Sequence, residues 1–265
     1  MSTSTNDPQS IDDLCALLTS ADPYERDEVA YSGLAERIMA GEADGSLTLI
    51  GDRVAANLTH PALHARTFVP LVLDLIVTRD QTNRELDIEA VYRWRDAFAA
   101  WWSSETDLRG YDEKVGWLHA IAHGADFVGA VGLHPLLTAD DLTTLLDLTA
   151  ARVITPTEHN FRDFEDDRLA CAMAAVLSRP ELSAAAATGW LTAVRDAIAG
   201  MAESLPTVWL SNTVRTMNSL YVAVGRGVRM YAPPGVEPPP LVAPHRDAIL
   251  ETVADTLREA RRYLG

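Results

Sequence analysis

Apolar side chains recur every three or four positions along almost the whole chain, the period of helices with one buried face. The first clear case opens at Asp22-Pro23-Tyr24-Glu25. Asp22 suits a cap, Pro23 a first turn, and Glu25 completes a capping box. Val29, Leu34 and Ile38 then follow at helix spacing until Gly41. The same pattern predicts a shorter helix over 46–57 and one that starts at Pro61 and runs through the apolar stretch 68–77. Another covers 86–103 and ends in Trp94, Phe98, Trp101 and Trp102. After a polar turn over 105–112, helices are predicted near 113–133, 138–152, 163–177, 183–201 and 207–230. Pro135, Pro156, Pro180 and Pro206 fall between these segments, where residues lacking an N–H belong.

Residues 232–244, APPGVEPPPLVAP, form a stiff proline-rich spacer. Beyond it Ile249, Leu250, Val253, Leu257 and Leu264 line one face of a last helix, with Asp247 and Glu251 near its start and Arg258, Arg261 and Arg262 near its end. That charge order matches the helix dipole, and an apolar stripe of this kind should dock on the body. Extended segments are few: 46–50 and 153–154 are the candidates, and neither alternates long enough to build a sheet. The expected fold is therefore all-α, about ten to eleven helices stacked as hairpins in a HEAT- or armadillo-like α-α superhelix. Helix pairs starting near 23, 61, 113, 164 and 207 recur at roughly the interval of such arrays. No sequence motif repeats with them, so a compact α-α arrangement stays open. Residues 1–21 read as an N-terminal segment with a short helix, and 22–265 as a single domain.

Composition narrows the function. With 22 Lys and Arg against 38 Asp and Glu, the formal net charge is −16. Such a chain repels phosphate backbones, which disfavours nucleic-acid binding, a helical-repeat DNA glycosylase included. Lys114 is the single lysine, and it is followed by Val115 and Gly116, so no P-loop is present. Cys15 and Cys171 are far apart and form no C-x-x-C pair, which argues against a disulfide framework and fits a reducing cytoplasm. The first residues carry no signal-peptide pattern, and no apolar run is long enough to span a bilayer. The expectation is a soluble cytoplasmic protein with no membrane partner.

Unusual residues concentrate between Glu105 and Asp126: Glu105, Asp107, Arg109, Tyr111, Trp117, His119, His123 and Asp126. If 113–133 is one helix, His119, His123 and Asp126 form a narrow stripe on a rod that is otherwise apolar or small. Buried imidazoles and a carboxylate need partners. One account is a hydrogen-bond network in which Asp126 orients His123 and Arg109 pairs with a carboxylate. The other is a metal site, with His119, His123 and Asp126 as ligands for Zn, Mn or Fe. H-A-I-A-H lacks the glutamate that zinc proteases place after the first histidine.

The run E-T-D-L-R-G-Y-D-E-K-V-G-W-L-H-A-I-A-H-G-A-D resembles the signature of an uncharacterised bacterial family, domain of unknown function 2785. Arg66-Thr67-Phe68, Arg26-Asp27-Glu28 with Ala30-Tyr31, and Glu165-Asp166-Asp167-Arg168-Leu169-Ala170 share that resemblance, which covers roughly 22–230. It implies a helical fold and no assigned reaction, and it suggests that Arg168 reaches the polar cluster from a neighbouring helix. On their own, Glu165, Asp166 and Asp167 read as a solvated helix start favoured by the dipole. His64 beside Arg66 reads as a packing pair, and His60, His134, His159 and His245 sit at segment ends without a partner pattern. Trp94, Trp101, Trp102, Tyr111 and Trp117 flank the polar turn, as core or as the aromatic wall of a pocket.

The reading is a non-enzymatic helical-repeat binding protein. Its groove around 105–126 would take a small molecule or a partner peptide, with no cofactor. The alternative is a metal-dependent hydrolase with His119, His123 and Asp126 on the ion and Glu105 as water-activating base.

Overall fold

A computed structural model describes residues 10–201, 207–230 and 237–260. Met1–Gln9, Pro206, spacer positions 232–236 and the tail residues Arg261, Arg262 and Leu264 lie outside the described residues.

Local chemistry sets most helix ends. Helix α1 (Ile11–Leu17) starts on a capping box between Ser10 and Asp13. A π-helical segment, Tyr24–Tyr31, runs into α2 (Ser32–Ala40), which stops at Gly41 with φ +84°. Next come α3 (Leu47–Ala55), a 3-10 turn (Ala56–Thr59), α4 (Leu63–Asn83) and α5 (Ile88–Ser104), whose cap is Asp87. A short hairpin, β1 (Tyr111–Asp112) and β2 (Gly116–Trp117), precedes α6 (Ala120–Gly132). Then follow α7 (Ala139–Ile154), α8 (Glu165–Leu177), α9 (Ala184–Gly189), α10 (Leu191–Ala199), α11 (Val208–Arg226) and α12 (Arg246–Ala260). Among the described residues the protein is all-α apart from the hairpin and one bridge, Val228 to Leu241. Among the described residues no helix is long and apolar enough to cross a membrane.

Helix α6 is the centre. Every residue from Ala120 to Gly132 is buried except Asp126, and the helix packs between α4 and α8. Small residues allow this. A Cβ on Gly124 would stand 2.4 Å from Nε1 of Trp102, the buried α5 indole that donates to the carbonyl of Ala120 at 3.0 Å. Helix α8 in turn packs on α11, and α12 docks on α10 and α11 with Ile249, Val253 and Leu257 buried, as its stripe predicts.

Three expectations are corrected. The helix predicted near 113–133 begins only at Ala120, because Oδ1 of Asp112 accepts from the amides of Lys114 and Val115 and Gly116 sits at φ +74°, so the chain turns. The stretch 183–201 divides at Trp190 into α9 and α10. The candidate extended segments 46–50 and 153–154 are largely helical, claimed by the burial of Leu47, Ile50 and Val153.

A cavity of about 950 Å³ lies among α2, α4, α6 and α8. Asp74 of α4 faces it, and burial pushes its carboxyl up to about 7, with the Asp126 charge adding to the effect. The folded chain thus keeps a proton that the unfolded chain releases near pH 4, and stability falls as pH rises from about 4 to 7. Asp74→Asn removes that loss. Urea melts at pH 5 and 8 will show the variant gaining on the native chain at pH 8, by ~1.4 kcal/mol per unit of upward shift.

Candidate functional site

The polar segment splits into a clamp, a surface network and an open cluster. Glu105 is the clamp. Its Oε2 accepts from Nε and Nη2 of Arg66 at 2.8 and 2.6 Å and from Trp101 at 3.0 Å, while Oε1 accepts the amides of Thr106 and Asp107, each at 3.1 Å. With both oxygens occupied, Glu105 ties α4 to the end of α5 and is no water-activating base. Arg109 pairs with Asp107 at 2.7 Å and Asp112 at 2.5 Å in an exposed network. Arg109 holds Asp107 below the usual carboxylate range, burial opposing it.

Tyr111 and Trp117 face each other across the hairpin, ring centroids 5.1 Å apart, and both are exposed. Trp94, Trp101 and Trp102 are core residues, so of the expected aromatic wall only the hairpin pair meets solvent.

His119, His123 and Asp126 go separate ways. His123 is buried, with Nδ1 3.0 Å from the carbonyl of Thr67 and its ring 5.3 Å from Phe68; burial drives its pKa well below the ordinary imidazole value. Asp126 is gripped by Arg168 of α8, Nε to Oδ1 at 2.6 Å, with a second bond from Nη2 to Oδ2. The contact suggested for Arg168 is therefore present, and Asp126 does not orient His123. His119 stands outside α6, as its N-cap in the left-handed conformation at φ +44°. Its amide donates to the carbonyl of Gly110 at 3.1 Å, which turns the ring off the helix axis and beside Trp117, 4.6 Å between centroids.

There His119 meets Asp163 and Glu165. One ligand atom from each of these three residues lies within 4.8 Å of the others. Glu165 is fully buried at the first turn of α8. Its Oε2 accepts the amide of Asp163 at 2.8 Å, leaving Oε1 without a hydrogen bond. Nε2 of His119, Oδ2 of Asp163 and Nε2 of His159 are likewise buried and lack a hydrogen-bond partner. His159 Nε2 stands 3.6 Å from Glu165 Oε1, within ion-pair reach but longer than a good hydrogen bond. Four orphaned polar atoms in one place are unusual, because buried polar groups are nearly always satisfied.

The backbone is bent to make this cluster. Between the two carboxylates Phe164 adopts φ +66° and is 73% exposed as a residue. Two of the three left-handed non-glycine residues among those described, His119 and Phe164, thus belong to the site. Such conformations cost ~1–2 kcal/mol each and persist where the surroundings enforce them. Gly110 leaves room for the arrangement: a Cβ there would fall 2.2 Å from Asp163 Oδ2.

Protonation suits a cation. Burial lowers the His119 pKa, against the pull of the Glu165 and Asp163 charges, so the ring is neutral at neutral pH. Burial pushes Glu165 up, but the facing His159 and backbone amides outweigh it and keep the group ionised.

Asp163, Glu165 and His159 were not legible as site residues. Glu165-Asp166-Asp167 has the form of an exposed helix start, and Asp166 and Asp167 fill that role, with Asp166 on Arg215 and Asp167 accepting from Ser219. The one available hint is Phe164, an apolar residue set between carboxylates where a solvated turn has no use for it.

A family model described as "Protein of unknown function (DUF2785)" matches residues 56–222, more than half of the chain. The chain belongs to the DUF2785 family. The matched part of this DUF2785 protein holds all four members of the cluster, whereas Arg26 and α12 lie outside it. No curated protein matches the chain. A crystal structure described as an engineered protein of the Northeast Structural Genomics Consortium is similar, at 15% identity and TM-score 0.43, covering 94% of this chain and 98% of that one.

Proposed function

We propose that this protein binds a divalent metal ion through His119, Asp163 and Glu165, with His159 in reach as a fourth donor, and that the centre serves hydrolysis. The observation that carries the reading is the convergence of three ligand atoms within 4.8 Å, their buried lone pairs unpartnered. A neutral imidazole with two carboxylates carries charge −2, which a divalent ion balances, and a mixed N/O set suits Zn, Mn or Fe. Bound there, the ion would lower the pKa of a coordinated water and so supply a nucleophile at neutral pH. The chain's own residues do the rest. His119 and Asp163 are only partly buried as residues, while the atoms they turn toward the ion are buried, so the centre lies just beneath the surface. Glu165 is held by the Asp163 amide, and exposed Trp117 offers an apolar edge beside His119 on which a small-molecule substrate can rest. On this reading the ligand set lies away from His123 and Asp126, and the expected binding groove becomes a metal-centred one.

Calorimetric titration of chelator-treated protein with zinc and with manganese tests the reading. We expect one ion per chain, lost in His119→Ala and in Glu165→Gln but kept in Asp126→Asn. No uptake by the native chain, or uptake indifferent to Glu165→Gln, ends it.

A further inference from the structure

The cavity among α2, α4, α6 and α8 is a second site, independent of the metal cluster. Met39, Leu71, Leu133 and Met230 give it apolar walls. Its polar part is unequal. Asp126 and Arg168 satisfy each other through two bonds, which leaves Asp74 as the charge without a counterion. Thr78 donates to Asp74 Oδ1 at 3.1 Å, and among the described residues no cationic group forms an ion pair with Asp74. The other charged residues of the lining do not change this: Glu36 of α2 is acidic and exposed, and Arg229 is drawn to Glu237 at 3.4 Å. A ligand that matches an apolar chamber with one unpaired carboxylate is an apolar chain ending in a cation. The field of a chain with net charge −16 attracts the same charge sign.

We infer that this cavity binds a small amphipathic amine, its alkyl chain against Met39, Leu71 and Leu133 and its ammonium on Asp74. The volume, about 950 Å³, lies in the range of small-molecule sites. Binding requires Asp74 ionised. Burial holds its carboxyl near 7, with Asp126 adding to this and Thr78 and Arg168 opposing. Affinity therefore rises by about tenfold per pH unit below 7 and levels off above.

Cys171 reports occupancy, since it lines the cavity and is partly accessible, while Cys15 is buried and serves as control. The experiment follows modification of Cys171 by N-ethylmaleimide, read by mass spectrometry, in the presence of hexylammonium, hexanoate or 1-hexanol. Hexylammonium should slow the reaction, more at pH 8 than at pH 6, and Asp74→Asn should weaken that protection by at least about tenfold. Equal protection by hexanoate or hexanol, no protection by the amine at millimolar concentration, or an Asp74→Asn variant that behaves as native, each overturns the inference. The near-isosteric Asn keeps the packing, and the maleimide assay on the native chain stands without any variant. Loss of metal uptake leaves this result untouched, so the two readings fail separately.

Discussion

Zinc or manganese added to metal-stripped protein will raise its melting temperature by about 5–10 °C once the free ion exceeds its Kd a hundredfold. The figure follows from linkage: a ligand at that excess stabilises the fold by ~2.7 kcal/mol, and a chain of this size gains ~2–4 °C per kcal/mol. What favours ion uptake is that the buried Oε1 of Glu165 and Oδ2 of Asp163 accept no hydrogen bond, their nearest cationic groups being His159 at 3.6 Å and Arg162 at 3.9 Å. Glu165→Gln makes the point sharply. The amide keeps the shape of the side chain and removes its charge. Since His159 and backbone amides favour the ionised form, the stripped variant should melt at or slightly below the stripped native chain, while its response to metal disappears. Differential scanning calorimetry reads both quantities. A variant that still responds to zinc by the native amount would place the ion elsewhere.

Arg26→Leu should cost ~3–5 kcal/mol in urea unfolding and loosen the metal cluster as well. The guanidinium is fully buried, lies 4.7 Å over the ring of Phe68 and pairs with Asp27 at 2.8 Å. Its Nη2 donates to the carbonyls of Val115 at 2.7 Å and Trp117 at 3.4 Å, the two residues that frame the turn into His119. Leucine fills part of the volume and leaves those carbonyls and the Asp27 carboxylate without a donor. Burial already pushes the Asp27 carboxyl up, and Arg26 is the chief group opposing it. The double change Arg26→Leu with Asp27→Asn should therefore recover part of the loss. A single variant within about 0.5 kcal/mol of native would show the contact to be incidental.

What the sequence shows and hides follows from the range of the forces involved. Helices were legible because their signals are local: Gly41 at a left-handed stop, prolines between segments, the apolar stripe of α12. The start of α6 was missed because its turn combines a local signal, the Asp112 carboxylate and Gly116, with a hold on the Val115 carbonyl by Arg26, some ninety positions upstream, which helical periodicity does not register. The same distance effect divided the histidine stripe. His119 and His123 are four apart in sequence and remain neighbours, 5.5 Å between ring centroids, yet a single left-handed residue sends one imidazole to Asp163 and Glu165 and leaves the other on a backbone carbonyl. Periodicity describes side chains on a regular helix and carries no information about a residue that caps one. Asp126 found Arg168 across the α6–α8 interface, which local spacing is equally unable to specify.

The clamp by Arg26 bears on how the family should be delimited. The stretch shared with other members begins at residue 56, after the segment that supplies this guanidinium. A fragment cut at that boundary would still contain every proposed metal ligand, but would lack the side chain that anchors the hairpin leading into His119. The first helices are thus part of the scaffold around His119, and recombinant fragments of this chain should retain them.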